Sequence, residues 1–162
     1  MLIAIISDTH MPRGPRRLPD ACVERLTAAD LILHAGDVMA ETALAEMEAI
    51  GPPLVAVHGN VDSAGLRARL PAERIVGVED IRIAVVHDSG PARGRIGRLR
   101  RRFPDADAVV FGHSHMPLHE QEDGFQIFKP GSPTERRRAP AKTMGLARVE
   151  GDRLAFELVD LP

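Results

Sequence analysis

Five times along this 162-residue chain a short apolar run stops at side chains able to hold a metal ion. Leu2 to Ser7 leads into Asp8 and His10, Leu31 to His34 into Gly36-Asp37, and Leu54 to Val57 into His58-Gly59-Asn60-Val61-Asp62. Ile81 onward leads into His87-Asp88, and Val109 to Phe111 into Gly112-His113-Ser114-His115. Short β-branched and aliphatic runs bounded by glycine or polar residues read as buried strands. Strand ends are where α/β folds present their ligands. A chain built this way is expected to bring its strand ends to one edge. There Asp8, His10, Asp37, Asn60, His87, His113 and His115 converge as seven oxygen or nitrogen donors. Ionised carboxylates crowded together repel unless cations neutralise them, so metal is the economical solution.

The segments between the runs fit this plan. Met11 to Pro19 is rich in proline and reads as loop. Leu18 to Ala29 carries Cys22, Val23 and Leu26 at helical spacing, with Asp20 as a candidate cap. Glu41 to Ile50 reads as an amphipathic helix stopped by Gly51-Pro52-Pro53. From Arg74 the texture changes: Arg74 to Val78 and Ile81 to His87 flank Glu79-Asp80 as a hairpin, where antiparallel pairing begins. Pro91 to Phe103 reads as a surface helix with Ile96, Leu99 and Phe103 inward and a basic exposed side around Arg98. Gly112 is expected to let the chain turn tightly. After the turn at Glu122-Asp123-Gly124 come a strand Phe125 to Lys129, the turn Pro130-Gly131-Ser132-Pro133, and strands Met144 to Val149 and Leu154 to Val159. No repeat or linker interrupts residues 1–162, so a single domain is expected.

Composition narrows the function classes. The net charge of -2 and pI near 6.4 give no general attraction to nucleic acid or an anionic membrane. The lone Cys22 excludes an intrachain disulfide framework and suits a reducing cytosol, and Met1 to Ile6 is too short for a membrane span and lacks a basic leader. A cytoplasmic location is expected. Imidazole, carboxylate and amide donors without cysteine suit Mn²⁺ first, with Fe, Zn²⁺, Ni or Co as options. Seven donors exceed one such ion and fit a pair, with Asp37 as the natural bridge.

In this order, Asp8-x-His10, Gly36-Asp37, Gly59-Asn60-x-Asp62, His87 and Gly112-His113-x-His115 resemble the calcineurin-like metallophosphoesterase superfamily. The short length and the Pro130-Gly131-Ser132 turn are similar to its small bacterial and archaeal phosphodiesterases, relatives of the metallophosphoesterase-fold subunit of retromer. The resemblance implies a four-layer α/β/β/α sandwich of two mixed sheets flanked by helices. It also implies a dinuclear-metal-dependent phosphoesterase that hydrolyses phosphodiesters through a metal-activated hydroxide. Asp8, His10, Asp37 and His115 would hold one ion, and Asp37, Asn60, His87 and His113 the other. Asp37, Asn60 and His113 would be the catalytic residues, Asn60 also approaching the substrate phosphate. The partner is then a small phosphate-ester substrate, with no membrane or nucleic acid, and a homo-oligomer is compatible. The alternative is the same fold kept as a protein-interaction module with weak or no catalysis.

Two positions depart from the family pattern. Val61 stands where many members carry a histidine that protonates the leaving group, which leaves the general acid unassigned and Asp62 a poor substitute as an ionised carboxylate. His87-Asp88-Ser89 replaces a common His-Gly-His, so an imidazole near the site is lost, and Asp88 reads either as a carboxylate gained there or as a helix N-terminal charge. His34 and His58 each read either as supports for the donors or as core histidines, and His119 as solvent-exposed. Arg13, Arg16 and Arg17, and likewise Arg136 to Arg138, read as solvated loop charge or as a grip on substrate phosphate. The basic helix lacks interleaved aromatics for base stacking.

Overall fold

Strand β1, Leu2–Ile6, lies at the centre of a computed structural model that describes residues 1–162. Its side chains alternate faces, as a strand requires. Ala4 and Ile6 face a layer of helices, whereas Ile3 and Ile5 face a second sheet. On either side of β1 the first sheet adds β2 (Leu31–His34) and β3 (Leu54–Ala56) in parallel, and β9 (Lys142–Glu150) and β10 (Arg153–Leu161) antiparallel, in the order β10-β9-β1-β2-β3. The second sheet runs β4 (Glu73–Val78), β5 (Ile81–Val86), β6 (Ala108–Val110), β8 (Phe125–Lys129) and β7 (Leu118–Glu122), with β5, β6 and β8 parallel and the two edge strands antiparallel.

Three packed clusters separate four layers. Helices α1 (Asp20–Thr27), α2 (Glu41–Glu48) and α3 (Ala64–Arg69) cover the outer face of the first sheet through Cys22, Leu26, Leu44, Met47 and Leu66. Ile3, Ile5, Leu33, Ile83, Val85, Val110 and Phe128 fill the space between the sheets. Helix α4 (Arg95–Arg102) closes the far side through Leu99, with Phe103 just beyond its end, over Val109, Phe111 and Ile127. Burying each such side chain contributes about 1.5–3 kcal/mol before chain entropy is set against it. The expected α/β/β/α sandwich of two mixed sheets is the fold observed. No helix is long and apolar enough to cross a membrane.

Several local expectations need correcting. Asp20 is the first residue of α1 rather than its cap; Pro19 holds the cap position without a side-chain bond. Helix α3 was not anticipated. Its Ser63 cap, which accepts the Leu66 N–H at 3.2 Å, and its single buried residue Leu66 make too short a pattern to register as periodicity. Strand β7, Leu-His-Glu-Gln-Glu, is a polar edge strand with no apolar alternation to betray it. The arginines of α4 are less free than a solvated face: Arg98 donates to the carbonyls of Ser89 and Pro91 at 2.8 and 2.6 Å, and Arg100 to that of Glu122 at 2.6 Å. Arg95 lies over the Phe111 ring, 5.3 Å from its centroid.

Candidate metal centre

The parallel strands β1, β2, β3, β5 and β6 all run out at one edge, so the loops after them meet there. Two groups of donor atoms form, each within 4.8 Å: Asp8, His10 and His115 in one, Asp37, His87 and His113 in the other. His10 Nε2 lies 3.4 Å and His87 Nε2 3.2 Å from the same Asp37 oxygen, which places Asp37 between the groups. Asn60 completes the second group, its Oδ1 lying 3.0 Å from His87 Nε2 and 3.1 Å from His113 Nδ1. All seven donors expected from the sequence are therefore neighbours. His113 and His115 go to different groups, as a tight loop rather than an extended segment requires.

The imidazoles are held from behind. His87 Nδ1 donates to the Ala35 carbonyl at 2.7 Å and His115 Nδ1 to that of Glu135 at 3.0 Å, which turns each Nε2 lone pair into the site. The buried Nε2 atoms of His10 and His115 have no hydrogen-bond partner. Unsatisfied buried nitrogens beside carboxylates are costly unless something else binds them. A divalent cation suits these donors in chemistry as well as in charge, so the residues present fit a metal pair. Burial pushes the Asp8 carboxyl up, and the neighbouring His87 and the Ser7 hydroxyl at 2.6 Å only partly oppose it. Burial would also raise Asp37, but the nearby imidazoles of His10 and His87 outweigh this and hold the carboxyl well below the usual range.

Five of the seven donors, Asp8, His10, Asp37, His113 and His115, sit at positive φ, between 46° and 80°. Left-handed backbone costs a non-glycine residue roughly 1–2 kcal/mol. Gly112 has no such φ, so its expected role in a tight turn is replaced by one of space: a Cβ there would lie 2.8 Å from Asp8 Oδ2 and 3.0 Å from the Ala35 carbonyl. Gly59 is tighter still, since its Cβ would meet Asp37 Oδ1 at 2.1 Å.

The supporting roles of Asp62, Ser132 and Thr134 escaped the sequence reading, whereas that of His34 is one of its two readings. Asp62, considered there only as a proton donor, is a buried acceptor for the backbone N–H groups of Gly59, Met39 and Asp37 at 2.6, 2.6 and 3.1 Å. Ser132 Oγ donates to the Asp8 carbonyl at 2.9 Å and Thr134 Oγ1 to the Thr9 carbonyl at 2.8 Å, so the Pro130-Gly131-Ser132 turn braces the Asp-x-His loop. His34 is fully buried, its Nδ1 accepting from the Gly36 N–H at 3.2 Å and its Nε2 lying 3.0 Å from Thr9 Oγ1. It is thus a support, kept neutral by burial that pushes its pKa down to about 4. Lys129 is buried with Ser114 Oγ at 2.5 Å and the Phe111 ring beside it, and burial lowers its ammonium to about 8.

Other expectations shift. His58 is half-buried and lines a cavity of about 300 Å³ with Asn60, His87, Asp88, Arg67 and Arg102. Asp88 is far from any helix start; its carboxylate accepts the Gly90 N–H at 2.8 Å and closes a turn. His119 is exposed, as expected, yet bonds Gln126 at 2.9 Å and packs edge-on against Phe128 and Phe156. Val61 is exposed beside Asn60, and no imidazole replaces it at that position.

Comparison with known proteins agrees with this geometry. The model of the calcineurin-like phosphoesterase superfamily domain matches residues 1–152. A protein named a probable metallophosphoesterase from Methanothermobacter thermautotrophicus is 33% identical over 98% of this chain and 92% of its own. A phosphodiesterase of Methanocaldococcus jannaschii is 22% identical over 81% of this chain and 83% of its own. Among solved structures, vacuolar protein sorting 29 from Cryptosporidium parvum superposes with a TM-score of 0.86 at 22% identity, covering 99% of this chain and 91% of that one.

Proposed function

Because this chain belongs to the calcineurin-like phosphoesterase superfamily, we propose that it hydrolyses phosphodiesters with two divalent transition-metal ions, Mn²⁺ foremost, at the edge where its parallel strands end. Asp8, His10, Asp37 and His115 would hold one ion, and Asp37, Asn60, His87 and His113 the other, with Asp37 shared. Such an ion pair supplies Lewis acidity toward the phosphate oxygens and a water of lowered pKa.

The residues themselves do the positioning. Asp37, tied through Oδ1 to the Val61 N–H at 3.0 Å, keeps a fixed orientation between the two groups. Asn60 is exposed at the mouth of the site, and Arg67 bonds its carbonyl. Its amide can thus turn one face to the donors and the other to a phosphate oxygen. His113, also exposed, has its backbone N–H on both oxygens of Asp8 at 3.1 Å, which fixes its loop against the first group while its imidazole stands with Asn60 in the second. The observation that carries the proposal is the pair of buried, partnerless Nε2 atoms of His10 and His115 beside two carboxylates. A site kept only for shape has no use for that cost.

The interaction-module reading draws on the likeness to vacuolar protein sorting 29, which at 22% identity speaks to fold alone. The name of the Methanocaldococcus relative favours the diester over the monoester as substrate. The test is turnover of the metal-reconstituted protein on a panel of phosphodiesters, phosphomonoesters and nucleotides. Hydrolysis of diesters above the others is expected. Metal-loaded protein inert toward the whole panel would overturn the proposal in favour of the interaction module.

A further inference from the structure

The loop that follows Asp-x-His and the loop that follows Pro130-Gly131-Ser132 flank a second, open cavity of about 430 Å³. Arg13, Arg16, Arg17, Lys142 and Thr134 line it together with the rings of Pro15 and Pro19, and no carboxylate does. Arg13, Arg17 and Lys142 have no carboxylate within 4.0 Å. Arg16 has one, Glu135, at 3.5 Å, but its buried Nη1 makes no hydrogen bond. Glu135 is itself divided among Arg16, Arg137 at 3.7 Å and His115 at 3.8 Å, so it cannot neutralise the cavity.

Four like charges around one hollow repel one another, and a cleft of single sign concentrates counter-ions of the other. In a protein of net charge -2 this is a local concentration, not a general basic surface. Guanidinium forks match phosphate oxygens in pairs, and the lysine adds a point charge. The volume falls within the range of small-molecule sites. There is no aromatic platform on which a base could stack, which argues against a nucleic acid strand.

The cavity is built on the same framework as the metal centre. Thr134, in its wall, bonds the carbonyl of Thr9 between Asp8 and His10 at 2.8 Å, and Glu135 holds His115 through its carbonyl at 3.0 Å. Lys142 adjoins Thr143, whose N–H bonds the Ser132 carbonyl at 3.0 Å, and Ser132 in turn bonds that of Asp8. We infer that this cavity is an anion subsite holding a second, non-scissile phosphate group, so that the substrate is a phosphoester bearing at least one further phosphate. The inference rests on the phosphoesterase reading for its substrate, while the anion site itself can be tested without it.

Calorimetric titration of inorganic tripolyphosphate into the EDTA-dialysed chain reads the cavity with the metal donors empty. Binding is expected, weakened about tenfold or more in Arg13→Ser/Arg17→Ser/Lys142→Ser, since charge-assisted bonds to phosphate are lost. These residues are exposed or half-buried, so the variant should fold, and circular dichroism checks that it does. No binding by the wild type, equal affinity in the two proteins, or tighter binding of a charge-matched oligothymidylate would each overturn the anion subsite. In the metal-loaded enzyme, the 4-nitrophenyl ester of thymidine 5′-phosphate is compared with the same ester carrying a 3′-phosphate. The ratio of their kcat/KM values should favour the second and fall several-fold in the triple variant. A ratio that the variant leaves unchanged would refute the substrate assignment. Failure of both esters would count against phosphoesterase activity and leave the titration to decide the anion site.

Discussion

Asp62 accepts the backbone N–H of Asp37 at 3.1 Å, while Asp37 accepts the backbone N–H of Val61, the residue before Asp62, at 3.0 Å. The loops after β2 and β3 are thus tied to each other in both directions, and the candidate bridging carboxylate is one of the knots. Asp62→Asn turns an amide N–H₂ toward at least one of three backbone donors. Leaving a buried donor unsatisfied costs about 1–3 kcal/mol. At roughly 2–4 °C per kcal/mol for a chain of this size, metal-free protein should melt several degrees lower. An unchanged Tm would mean that the three bonds are dispensable.

Asp37→Ala removes the donor proposed to be shared by the two ions. Reconstituted wild type should carry about two transition-metal ions by elemental analysis, the variant less than one, with turnover abolished. His119→Ala should leave metal content and turnover alone. It loses its packing on Phe128 and Phe156 and its bond to Gln126, a loss of about 1 kcal/mol in stability. Equal loss of metal in both variants would refute the assignment.

Val61 cannot donate a proton, so alkoxide leaving groups must depart unassisted whereas aryl oxides need no help. General-acid assistance is worth about 10² to 10⁴ in rate, so nitrophenyl diesters should be hydrolysed far faster than alkyl diesters of similar size. Val61→His should raise the alkyl rates selectively. A rate independent of leaving-group pKa in the wild type would reveal another acid.

His34 titrates near 4 in the fold against an ordinary value of 6.5. The unfolded chain therefore takes up its proton first as pH falls. Stability from this group is complete above 6.5, is lost between 6.5 and 4, and changes no further below, a difference of about 3 kcal/mol over the window. In metal-free protein, urea midpoints of wild type and His34→Gln should differ in pH dependence across that interval alone. Parallel curves would place the histidine in contact with solvent.

Lys129 works in the other pH range. Its ammonium, lowered from 10.5 to about 8, disfavours the fold increasingly as pH falls through that interval, and the cost persists at neutrality. Lys129→Met removes at most about 3 kcal/mol of it, less the bond to Ser114, so Tm at pH 7 should rise. A fall would show that the buried cation stabilises the His113–His115 loop on balance.

The architecture was legible wherever apolar runs were continuous: β1, β2 and β5 are buried throughout or nearly so, and their ends named four of the donors, with β3 and β6 supplying Asn60, His113 and His115. What the sequence hid depends on contacts between distant residues. Nothing local in Asp62 says that it will gather N–H groups from Asp37 and Met39, more than twenty residues away. Nor does the Ser132 turn announce that it braces Asp8 from 124 residues downstream. Arg98 looked like surface charge because composition cannot show that its guanidinium will tie down the carbonyls of a loop. Asp88 was misplaced because the helix after it starts only at Arg95.

The left-handed backbone at Asp8, His10, Asp37, His113 and His115 has a consequence for how such a chain changes over generations. At each of these positions glycine would be free of a local backbone cost of roughly 1 kcal/mol, which at Asp8 and Asp37 is set against the N–H groups of His113 and Val61 that the carboxylates accept. Selection against backbone strain alone would therefore press on the donor set, one strained position at a time, with the sandwich left standing. A lineage released from the chemistry gains by losing it, and Asn60 and His87, free of that strain, would be the last of the seven to go.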